Sequence, residues 1–386
     1  MEGLRETRQV WQEAPKAGKA DCDRDIGLIS LRVAFIIPDM SGGGAERVAV
    51  TLIKALIADG HDVDLVLGRA EGALLPLVPP AVQVIDLKAR RLRTMLRPLI
   101  GYLRREKPDA IHAVLWPLTI IALVAHRIAR SRARVVVSDH STLSLQYAGN
   151  WKALASLILS VRLFYPSADA RICVSEGSAD DLARVAGIDR RSITVIYNPV
   201  SPPQRMPDPV EEVWPADGCR ILTVGSLKRE KRHDILLRAF AGLSRARPAQ
   251  LVILGEGKLR FDLARLASEL GIDERIAMPG FAIDPWPYYA GADLFVLSSD
   301  FEGYPLVLIE ALYSGLRIVS TACPYGPAEI LDQGRYGALV RVDDPAALEA
   351  AMAASLGEEC NARLLVRRAD QLTAGALDRY VDVILG

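Results

Sequence analysis

Residues 31–47 read LRVAFIIPDMSGGGAER, and this stretch decides the fold class. The run from Leu31 to Ile37 is almost wholly apolar, which is typical of a buried parallel strand. Glycines follow it, and from Ala45 to Ala58 apolar residues recur at the spacing of a helix face. The next strand is predicted at Val63 to Leu67. Strand, glycine loop, helix and strand in this order predict a βαβ unit.

The same alternation continues through both halves of the chain. Further strands are predicted in the first half at 110–115, 134–138, 170–174 and 192–197. In the second half, strands are predicted at 220–225, 250–254, 276–278, 294–297, 317–320 and 338–340, and helices at 231–243 and 259–270. Two such α/β halves predict two Rossmann-like, doubly wound domains facing a central cleft, with ligands at the carboxyl ends of the strands.

Prolines mark the boundary between the domains. Six of them lie between residues 199 and 215, and proline fits neither a helix interior nor a central strand. The predicted parts of the chain are a frayed extension at 1–30, an N-terminal domain at 31–199, a linker at 200–218, a C-terminal domain at 219–370 and a final helix at 371–386. That helix is a candidate for crossing back to the N-terminal domain.

The composition excludes several classes of protein. Of 386 residues, 50% are hydrophobic and 24% are charged, which is typical of a globular protein and not of a disordered or fibrous one. The 47 basic and 47 acidic residues balance, so nucleic acid is not an expected partner. The five cysteines form no CxxC pair, and neither a signal peptide nor a membrane-spanning run is visible. These features predict a cytoplasmic protein.

The glycine loop is the first candidate for a functional site. Gly43 and Gly44 follow a strand and open a helix, where free backbone N–H groups and the helix dipole favour an anion such as phosphate. The loop matches neither the dinucleotide nor the Walker fingerprint, and a tight turn without a ligand is the alternative.

A group of cations is the second candidate. Lys228, Arg229, Lys231 and Arg232 lie at the turn after the first strand of the second half, where they can hold a diphosphate. A solvated charge run is the alternative.

Two carboxylates form the third candidate. Glu302 is predicted on a loop and Glu310 in the helix that follows, with Pro305 as its first residue. Because a buried carboxylate without a partner is costly, Glu310 in an otherwise apolar helix predicts a ligand such as a sugar or ribose hydroxyl. An ion pair on the helix face is the alternative.

His140 is the fourth candidate. It follows the strand predicted at 134–138, where it can donate to a substrate hydroxyl or to a developing charge. A structural histidine without a catalytic role is the alternative.

Taken together, these motifs resemble glycosyltransferase family 4, whose members are retaining enzymes with the GT-B fold. The resemblance covers the chain from about Arg32 to the last helix. It rests on GGAER at 43–47, a VS…DL pattern at 174–182, NPV at 198–200, GEG at 255–257, GF at 280–281 and an E-x7-E pair at 302 and 310. The segment TACPYGPAEIL at 321–331 is similar to members that act on bacterial surface polysaccharides and lipid-linked glycans.

The resemblance implies a role for each candidate residue. Lys231 is expected to stabilise the donor diphosphate, Glu302 to hold the donor sugar and Glu310 to hold the ribose. His140 is expected to contact the sugar near the reacting carbon, and the backbone near Phe281 to contact the base. The other implied donor-binding positions are Gly43, Gly44, Ser226, Arg229, Gly255, Gly303, Tyr304, Pro305 and Leu306.

The chain departs from the family pattern beside Lys231. Where the family has an arginine and a glycine around this lysine, the chain has Ser226 and Arg232. One phosphate-binding cation is therefore missing from its usual position. We expect Lys228, Arg229 or Arg232 to compensate, and weaker donor binding or lost activity is the alternative.

The implied reaction transfers a sugar from a nucleotide diphosphate, with a UDP-sugar as the expected donor, and retains the anomeric configuration. The expected acceptor is a glycan or polyprenyl-linked glycan of the cell surface. Neither a cofactor nor a metal is expected, since cations and helix ends can stabilise the leaving diphosphate. A GT-B nucleotide-sugar epimerase and a non-catalytic nucleotide-sugar-binding protein are the alternatives.

Residues 88–107 are the one feature that points to the acceptor side. They carry eight basic residues against one acidic residue, with apolar residues at helical spacing. Such a helix can lie on anionic lipid, and an ordinary surface helix with a basic outer face is the alternative. The expectation is peripheral contact with the inner face of the cell membrane.

Overall fold

The computed structural model describes residues 30–386, which divide into two compact units. The N-terminal unit contains the described residues up to Pro199 together with Thr373–Gly386, and the C-terminal unit is Val200–Leu372. The extension predicted at 1–30 lies outside the described residues, apart from Ser30.

The N-terminal unit is built on a parallel sheet of seven strands in the order β3-β2-β1-β4-β5-β6-β7. The strands are β1 (Arg32–Ile37), β2 (Asp62–Leu67), β3 (Gln83–Asp86), β4 (Ala110–Val114), β5 (Arg134–Asp139), β6 (Ala170–Cys173) and β7 (Thr194–Val195). The helices are α1 (Gly44–Ala58), α2 (Leu96–Glu106), α3 (Leu118–Ala129), α4 (Leu143–Gln146), α5 (Trp151–Phe164) and α6 (Glu176–Ala186). One core, on one face of this sheet, holds buried side chains of α2, α3, α5 and α6.

The C-terminal unit contains a parallel sheet of six strands in the order β10-β9-β8-β11-β12-β13. The strands are β8 (Cys219–Val224), β9 (Ala249–Leu254), β10 (Ile276–Gly280), β11 (Leu294–Leu297), β12 (Arg317–Thr321) and β13 (Ala338–Val340). The helices are α7 (His233–Ala246), α8 (Arg260–Leu270), α9 (Trp286–Ala290), α10 (Leu306–Tyr313), α11 (Pro327–Ile330), α12 (Pro345–Gly357) and α13 (Ala362–Thr373).

The last helix, α14 (Ala376–Leu385), packs on the N-terminal unit against β4, β5 and α1. The Arg134 Nε atom donates to the carbonyl of Val383 at 3.1 Å, and the Arg379 guanidinium donates to the carbonyl of Val195 at 2.8 Å. Hydrogen bonds and packing therefore tie the end of the chain to the first sheet.

The strand order of each sheet reverses at a switch point, because the first strand in the chain lies in the interior of the sheet and later strands are added on both sides of it. The switch point lies between β1 and β4 in the N-terminal unit and between β8 and β11 in the C-terminal unit. In open α/β sheets, ligands bind beyond the carboxyl ends of the strands at this position. The fold thus predicts sites on the loops after β1, β4, β8 and β11.

The strands predicted from the sequence are present, although their ends differ by a few residues. The last strand of the first half, predicted at 192–197, is only two residues long, Thr194–Val195. The sequence did not predict β3, since its side chains are mostly exposed and it has no apolar run. The helix predicted at 231–243 begins later, at His233, because a 3₁₀ turn at Arg229–Lys231 precedes it.

Candidate functional site

The C-terminal site is defined by Lys231, Ser299 and Glu302, which lie on the loops after the adjacent strands β8 and β11. Lys231 Nζ lies 2.6 Å from Glu302 Oε1, and Ser299 Oγ donates to the same oxygen at 2.6 Å. The side chains of Lys231 and Glu302 are only 21% and 11% exposed. The structure therefore brings two of the predicted catalytic residues, far apart in the chain, into one half-buried ion pair at the switch point.

The backbone fixes this lysine in place. The Ser298 hydroxyl donates to the Lys231 carbonyl at 2.8 Å, so the end of β11 is joined to the loop after β8. The amide of Asp300 donates to the Glu230 carbonyl at 2.8 Å. Because these bonds position the loop before any ligand is bound, the ammonium group is preorganised to receive a negative charge.

Arg232, one of the cations expected to compensate, is already bound by three carboxylates. Its guanidinium forms ion pairs with Asp234 at 3.1 Å, Asp300 at 2.9 Å and Asp343 at 2.6 Å. Burial lowers the pKa of Arg232, but the hydrogen bonds to the three carboxylates outweigh burial and raise it. The residue also has a positive φ of 45°, which explains why glycine suits this position. Compensation by Arg232 stays a prediction, and these three partners make it a weaker candidate than an exposed cation of the same loop.

Lys228 and Arg229 remain as candidates for that role. Both are exposed, and within residues 30–386 neither side chain has an ion-pair partner. Ser226 lies at the start of the same loop and is half-buried. The loop thus carries two cations that are free to meet a phosphate.

Gly255 holds the neighbouring loop against this one. It has a φ of 154°, and a Cβ atom there would collide with the Gly225 carbonyl oxygen. The amide of Leu227 donates to the Glu256 carbonyl at 2.8 Å, which joins the two loops. Phe281 directly follows β10, the strand next to β9, and is half-buried. Both predicted donor-binding positions therefore lie at the carboxyl edge of the C-terminal sheet.

The loop from Glu302 to Leu306 is buried and braced from the side. Its amide at Glu302 donates to the Pro324 carbonyl at 2.9 Å, and the Tyr325 amide donates back to the Glu302 carbonyl at 3.2 Å. Gly303, Tyr304, Pro305 and Leu306 are all buried. The prediction that Pro305 is the first helical residue is wrong: its ψ of 102° is extended, and α10 begins at Leu306.

Glu310 is 7% exposed and has a partner in the protein. Its Oε2 atom accepts a hydrogen bond at 2.8 Å from the hydroxyl of Tyr289, a fully buried residue of α9. The costly buried carboxylate is thus satisfied in part without a ligand. Sequence reasoning did not identify Tyr289, since nothing local to α9 indicates which helix it faces.

Cys323 is a neighbour that the motifs did not reveal. It is buried on the loop that braces Glu302, and burial, together with the nearby Glu302 carboxylate, raises its pKa to about 12. A thiol held neutral beside the Lys231–Glu302 pair adds no charge to the site.

The N-terminal site is defined by His112, Ser138 and His140. Ser138 Oγ lies 2.9 Å from His112 Nε2 and 3.3 Å from His140 Nε2, so one hydroxyl connects the two rings. Because a hydroxyl has a single proton, it can donate to only one of the two rings, so at least one of the histidines donates from Nε2 to Ser138. This arrangement places His140 beyond the end of β5.

Burial keeps both histidines neutral. It lowers the pKa of His140 to about 4, although a hydrogen bond from the ring to Asn198 opposes this shift. It also lowers the pKa of His112 to about 3, and His140 adds to this effect. At neutral pH, His140 is therefore a hydrogen-bonding imidazole and not a cation.

A second buried network holds the residue before His140. Tyr165 Oη donates to Asp139 Oδ2 at 2.6 Å and lies 3.0 Å from Thr119 Oγ1. Burial raises the pKa of Asp139 to about 6, although the Tyr165 hydrogen bond opposes this shift. The strand end that carries His140 is thus anchored from the core.

The glycine loop has the predicted order of strand, loop and helix. Gly43 is the capping residue of α1 and Gly44 its first residue. A Cβ atom at Gly43 would collide with the Glu46 carboxylate, so this side chain lies across the first turn. The Glu46 carboxylate thus occupies the space beside Gly43 at the amino end of α1.

Residues 88–107 form a 3₁₀ turn at Leu92–Met95 followed by α2. Met95, Leu99, Tyr102 and Leu103 are buried in the core. The prediction of an apolar stripe available to lipid is wrong here, because the stripe packs inside the domain. The basic residues remain on the outer face, as the surface-helix alternative states.

Three further observations concern ligands and membranes. Within residues 30–386, no three His, Cys, Asp or Glu side chains are grouped so that they could hold a metal ion. No helix in this part of the chain combines the length and apolar character that crossing a bilayer requires. A cavity of about 530 Å³, lined by Glu211, Trp214, Arg220 and Gln250 among others, lies near the start of β8, at the edge opposite Lys231.

The chain matches two family models. The model described as Glycosyltransferase Family 4 matches residues 42–203, and the model described as Glycosyl transferases group 1 matches residues 218–358. Together they cover most of both units.

Two curated relatives match over most of their length. One is the N-acetylgalactosamine-N,N'-diacetylbacillosaminyl-diphospho-undecaprenol 4-alpha-N-acetylgalactosaminyltransferase of Campylobacter jejuni, with 30% identity over 81% of this chain and 87% of the relative. The other is the lipopolysaccharide core biosynthesis glycosyltransferase LpsE of Rhizobium meliloti, with 26% identity over 87% of this chain and 92% of the relative.

The fold is also that of a solved structure. Anabaena HepE, crystallised in complex with UDP-glucose, superposes with a TM-score of 0.74 over 91% of this chain and 100% of HepE, at 19% identity. The predicted GT-B fold, with two Rossmann-like parallel-sheet domains, is confirmed.

Proposed function

Because this chain belongs to glycosyltransferase family 4, we propose that it transfers a sugar from a UDP-sugar to a lipid-linked glycan in cell-surface polysaccharide synthesis, with retention of the anomeric configuration. The Lys231–Glu302 pair at the switch point of the C-terminal sheet carries this proposal. A preorganised cation at that edge is what the departure of a diphosphate requires.

The choice of donor and acceptor draws on the similar proteins. HepE is described in complex with UDP-glucose, and the Campylobacter relative is named for an undecaprenol-diphosphate acceptor. Both kinds of molecule contain a diphosphate, which suits the exposed cations at Lys228 and Arg229.

In the proposed reaction, the bond between the anomeric carbon and the donor diphosphate breaks, and a bond to an acceptor hydroxyl oxygen forms on the same face of the sugar. The hydroxyl proton passes to an oxygen of the departing diphosphate. Lys231 stabilises the negative charge that develops on the leaving diphosphate, and Glu302 holds the ammonium group and meets sugar hydroxyls. Neutral His140 donates a hydrogen bond to the sugar and does not add a charge. Lys231 and the exposed cations supply the positive charge, and the proposed reaction uses neither a metal nor a cofactor.

The proposed site of action is the inner face of the cell membrane, since the acceptor is lipid-linked. The exposed basic face of residues 88–107 supplies electrostatic attraction to anionic lipid. The apolar stripe of that segment takes no part, because it is buried.

The proposal is tested with UDP-sugars and a polyprenyl-diphosphate-linked glycan, with product detected by mass spectrometry. Conversion of the donor sugar into its epimer without an acceptor would instead indicate the epimerase alternative. Tight UDP binding without transfer or donor hydrolysis would indicate a binding protein.

A further inference from the structure

Helix α5 exposes an apolar stripe. Trp151, Leu159 and Leu163 are 73%, 70% and 66% exposed, and Ala155 between them is exposed as well. Residues spaced four apart lie on one face of a helix, so these side chains form a single ridge along α5. We call the four residues the α5 ridge.

The opposite face of α5 is firmly packed. Leu157 and Val161 are fully buried in the core of the N-terminal unit. Trp116, on the loop after β4, donates from Nε1 to Ser160 Oγ at 3.0 Å. The ridge is therefore the outer face of a fixed helix and not a core face that the fold has failed to cover.

The segment of chain that contains the ridge is strongly positive. Residues 88–168 contain 14 Lys and Arg but only three Asp and Glu, a formal charge of +11 in a chain whose total is zero. One of the three acids, Asp139, is buried. Lys152 and Arg162 flank the ridge and are exposed, and α5 contains no acidic residue. The surface therefore favours an extended anionic partner.

Helix α3 packs against one side of α5, and α2 packs against α3 in turn, so the basic surface extends in this direction. On the other side of α5 lies α6, whose exposed Glu176 and Asp180 are paired with Arg190. Helices α2, α3 and α5 share one core on the same face of the sheet. Their exposed side chains include Arg97 and Arg104 of α2 and Arg127 of α3. Apolar side chains among basic ones, with tryptophan at one end, are the composition of helices that lie in the interface of an anionic membrane.

Helix α5 also lies close to the N-terminal site in the fold. The connection from His140 to α5 contains Tyr147, whose ring packs edge-on against Trp116 at 4.7 Å between centroids. Since Trp116 in turn binds Ser160, α5 is attached at the carboxyl edge of the sheet, where His140 lies. A lipid-linked acceptor held at the membrane would therefore be presented at this edge.

We propose that the α5 ridge docks the protein on an anionic bilayer, with its side chains at the boundary between headgroups and acyl chains and the basic residues of α2, α3 and α5 against the lipid phosphates. This inference rests on the proposed function in that a lipid-linked acceptor gives membrane docking its purpose. The argument for docking itself rests only on the exposed side chains of the α5 ridge and on the basic residues near it.

The test is co-sedimentation of the full chain with vesicles of phosphatidylethanolamine and phosphatidylglycerol, and with phosphatidylcholine vesicles as the uncharged comparison. L159S/L163S is expected to lower the partition coefficient roughly tenfold or more, since buried apolar groups dominate interfacial binding. The control is F261S on α8, which removes the 86% exposed Phe261 of the C-terminal unit and is expected to leave binding unchanged. Trp151 is expected to shift its fluorescence to shorter wavelength on anionic vesicles, and W151F to abolish that shift.

Equal vesicle binding by L159S/L163S and the parent protein would overturn the proposal. Size-exclusion chromatography that shows a dimer for the parent and a monomer for this variant, with equal vesicle binding, would assign the ridge to contact between two copies of the chain instead. Sugar transfer to a water-soluble, short-chain acceptor is measured on the same samples and is expected to be unaffected. If the parent protein transfers no sugar to this acceptor, the proposed function is contradicted, whereas the docking result still stands. Thermal unfolding of each variant shows that it is folded.

Discussion

The two sheets have the same strand order, apart from a seventh strand in the N-terminal unit, but the sites at their carboxyl edges differ. In the C-terminal unit, the site is a half-buried ion pair, Lys231 and Glu302, on loops after β8 and β11. In the N-terminal unit, it is a neutral, buried chain of hydrogen bonds through His112, Ser138 and His140. Under the proposed function, this difference is a division of labour: the C-terminal site stabilises charge, and the N-terminal site positions a hydroxyl-bearing substrate without adding charge.

The largest expected effect is that of Lys231→Ala in the charged site. Loss of one preorganised cation is expected to lower kcat/KM by about 100- to 1,000-fold. Arg238→Ala, which removes an exposed cation of α7 outside this loop, is the matched control and is expected to leave kcat/KM unchanged. Steady-state kinetics with a UDP-sugar measures both, and equal kcat/KM for Lys231→Ala and the parent would remove Lys231 from the site.

Glu310→Gln tests the buried carboxylate of the same unit. An amide keeps an acceptor for the Tyr289 hydroxyl, so the fold is expected to survive. Loss of a charged hydrogen bond to the ribose is expected to raise the donor KM about tenfold or more. If Glu310→Gln lowers the unfolding temperature and the donor does not raise the unfolding temperature of the parent protein, Glu310 has a structural role only.

Arg229→Ala and Ser226→Arg test the missing cation. Three aspartates already hold Arg232, whereas Arg229 is exposed and has no ion-pair partner within residues 30–386. Arg229 is therefore the better candidate, and its loss is expected to weaken donor binding several-fold up to about tenfold. Ser226→Arg is expected to bring no gain, since the position is compensated. Titration calorimetry with UDP measures both, and tighter binding by Ser226→Arg together with unchanged binding by Arg229→Ala would overturn the assignment.

The smallest expected effect concerns pH and belongs to the neutral site. Burial holds the pKa of His140 near 4, below the ordinary value of 6.5, so the unfolded chain binds more protons than the native one between these values. The free energy of unfolding is therefore expected to fall as pH drops from 6.5 towards 4, and to fall less steeply in His140→Gln. Asp139, with a pKa near 6, acts in the opposite direction over part of this window in both proteins. Denaturant titrations along the pH series measure the two slopes, and equal slopes would contradict the burial of a neutral His140.

The same contrast explains what the sequence could predict. Lys231 and Glu302 stand on loops at strand ends, where local patterns mark them, and the strand order brings them together. His112 lies within β4, whose apolar neighbours make it look like a core position, and its link to Ser138 depends on how β4 pairs with β5. The partners of Tyr289 and Arg232 could likewise not be predicted from the sequence, because these partners come from distant segments. The apolar spacing of residues 88–107 is compatible with either a core face or a lipid face. Only the structure shows that this face is buried in the core.

The most direct test combines product analysis with stereochemistry. The parent protein is incubated with a UDP-sugar and a polyprenyl-diphosphate-linked glycan, and the product is examined by mass spectrometry and by the anomeric coupling constant in NMR. We expect the acceptor to gain one sugar with the anomeric configuration of the donor, and Lys231→Ala to abolish most of the product. An inverted linkage would contradict the retaining mechanism, and an unmodified acceptor with every donor would contradict the transferase function proposed here.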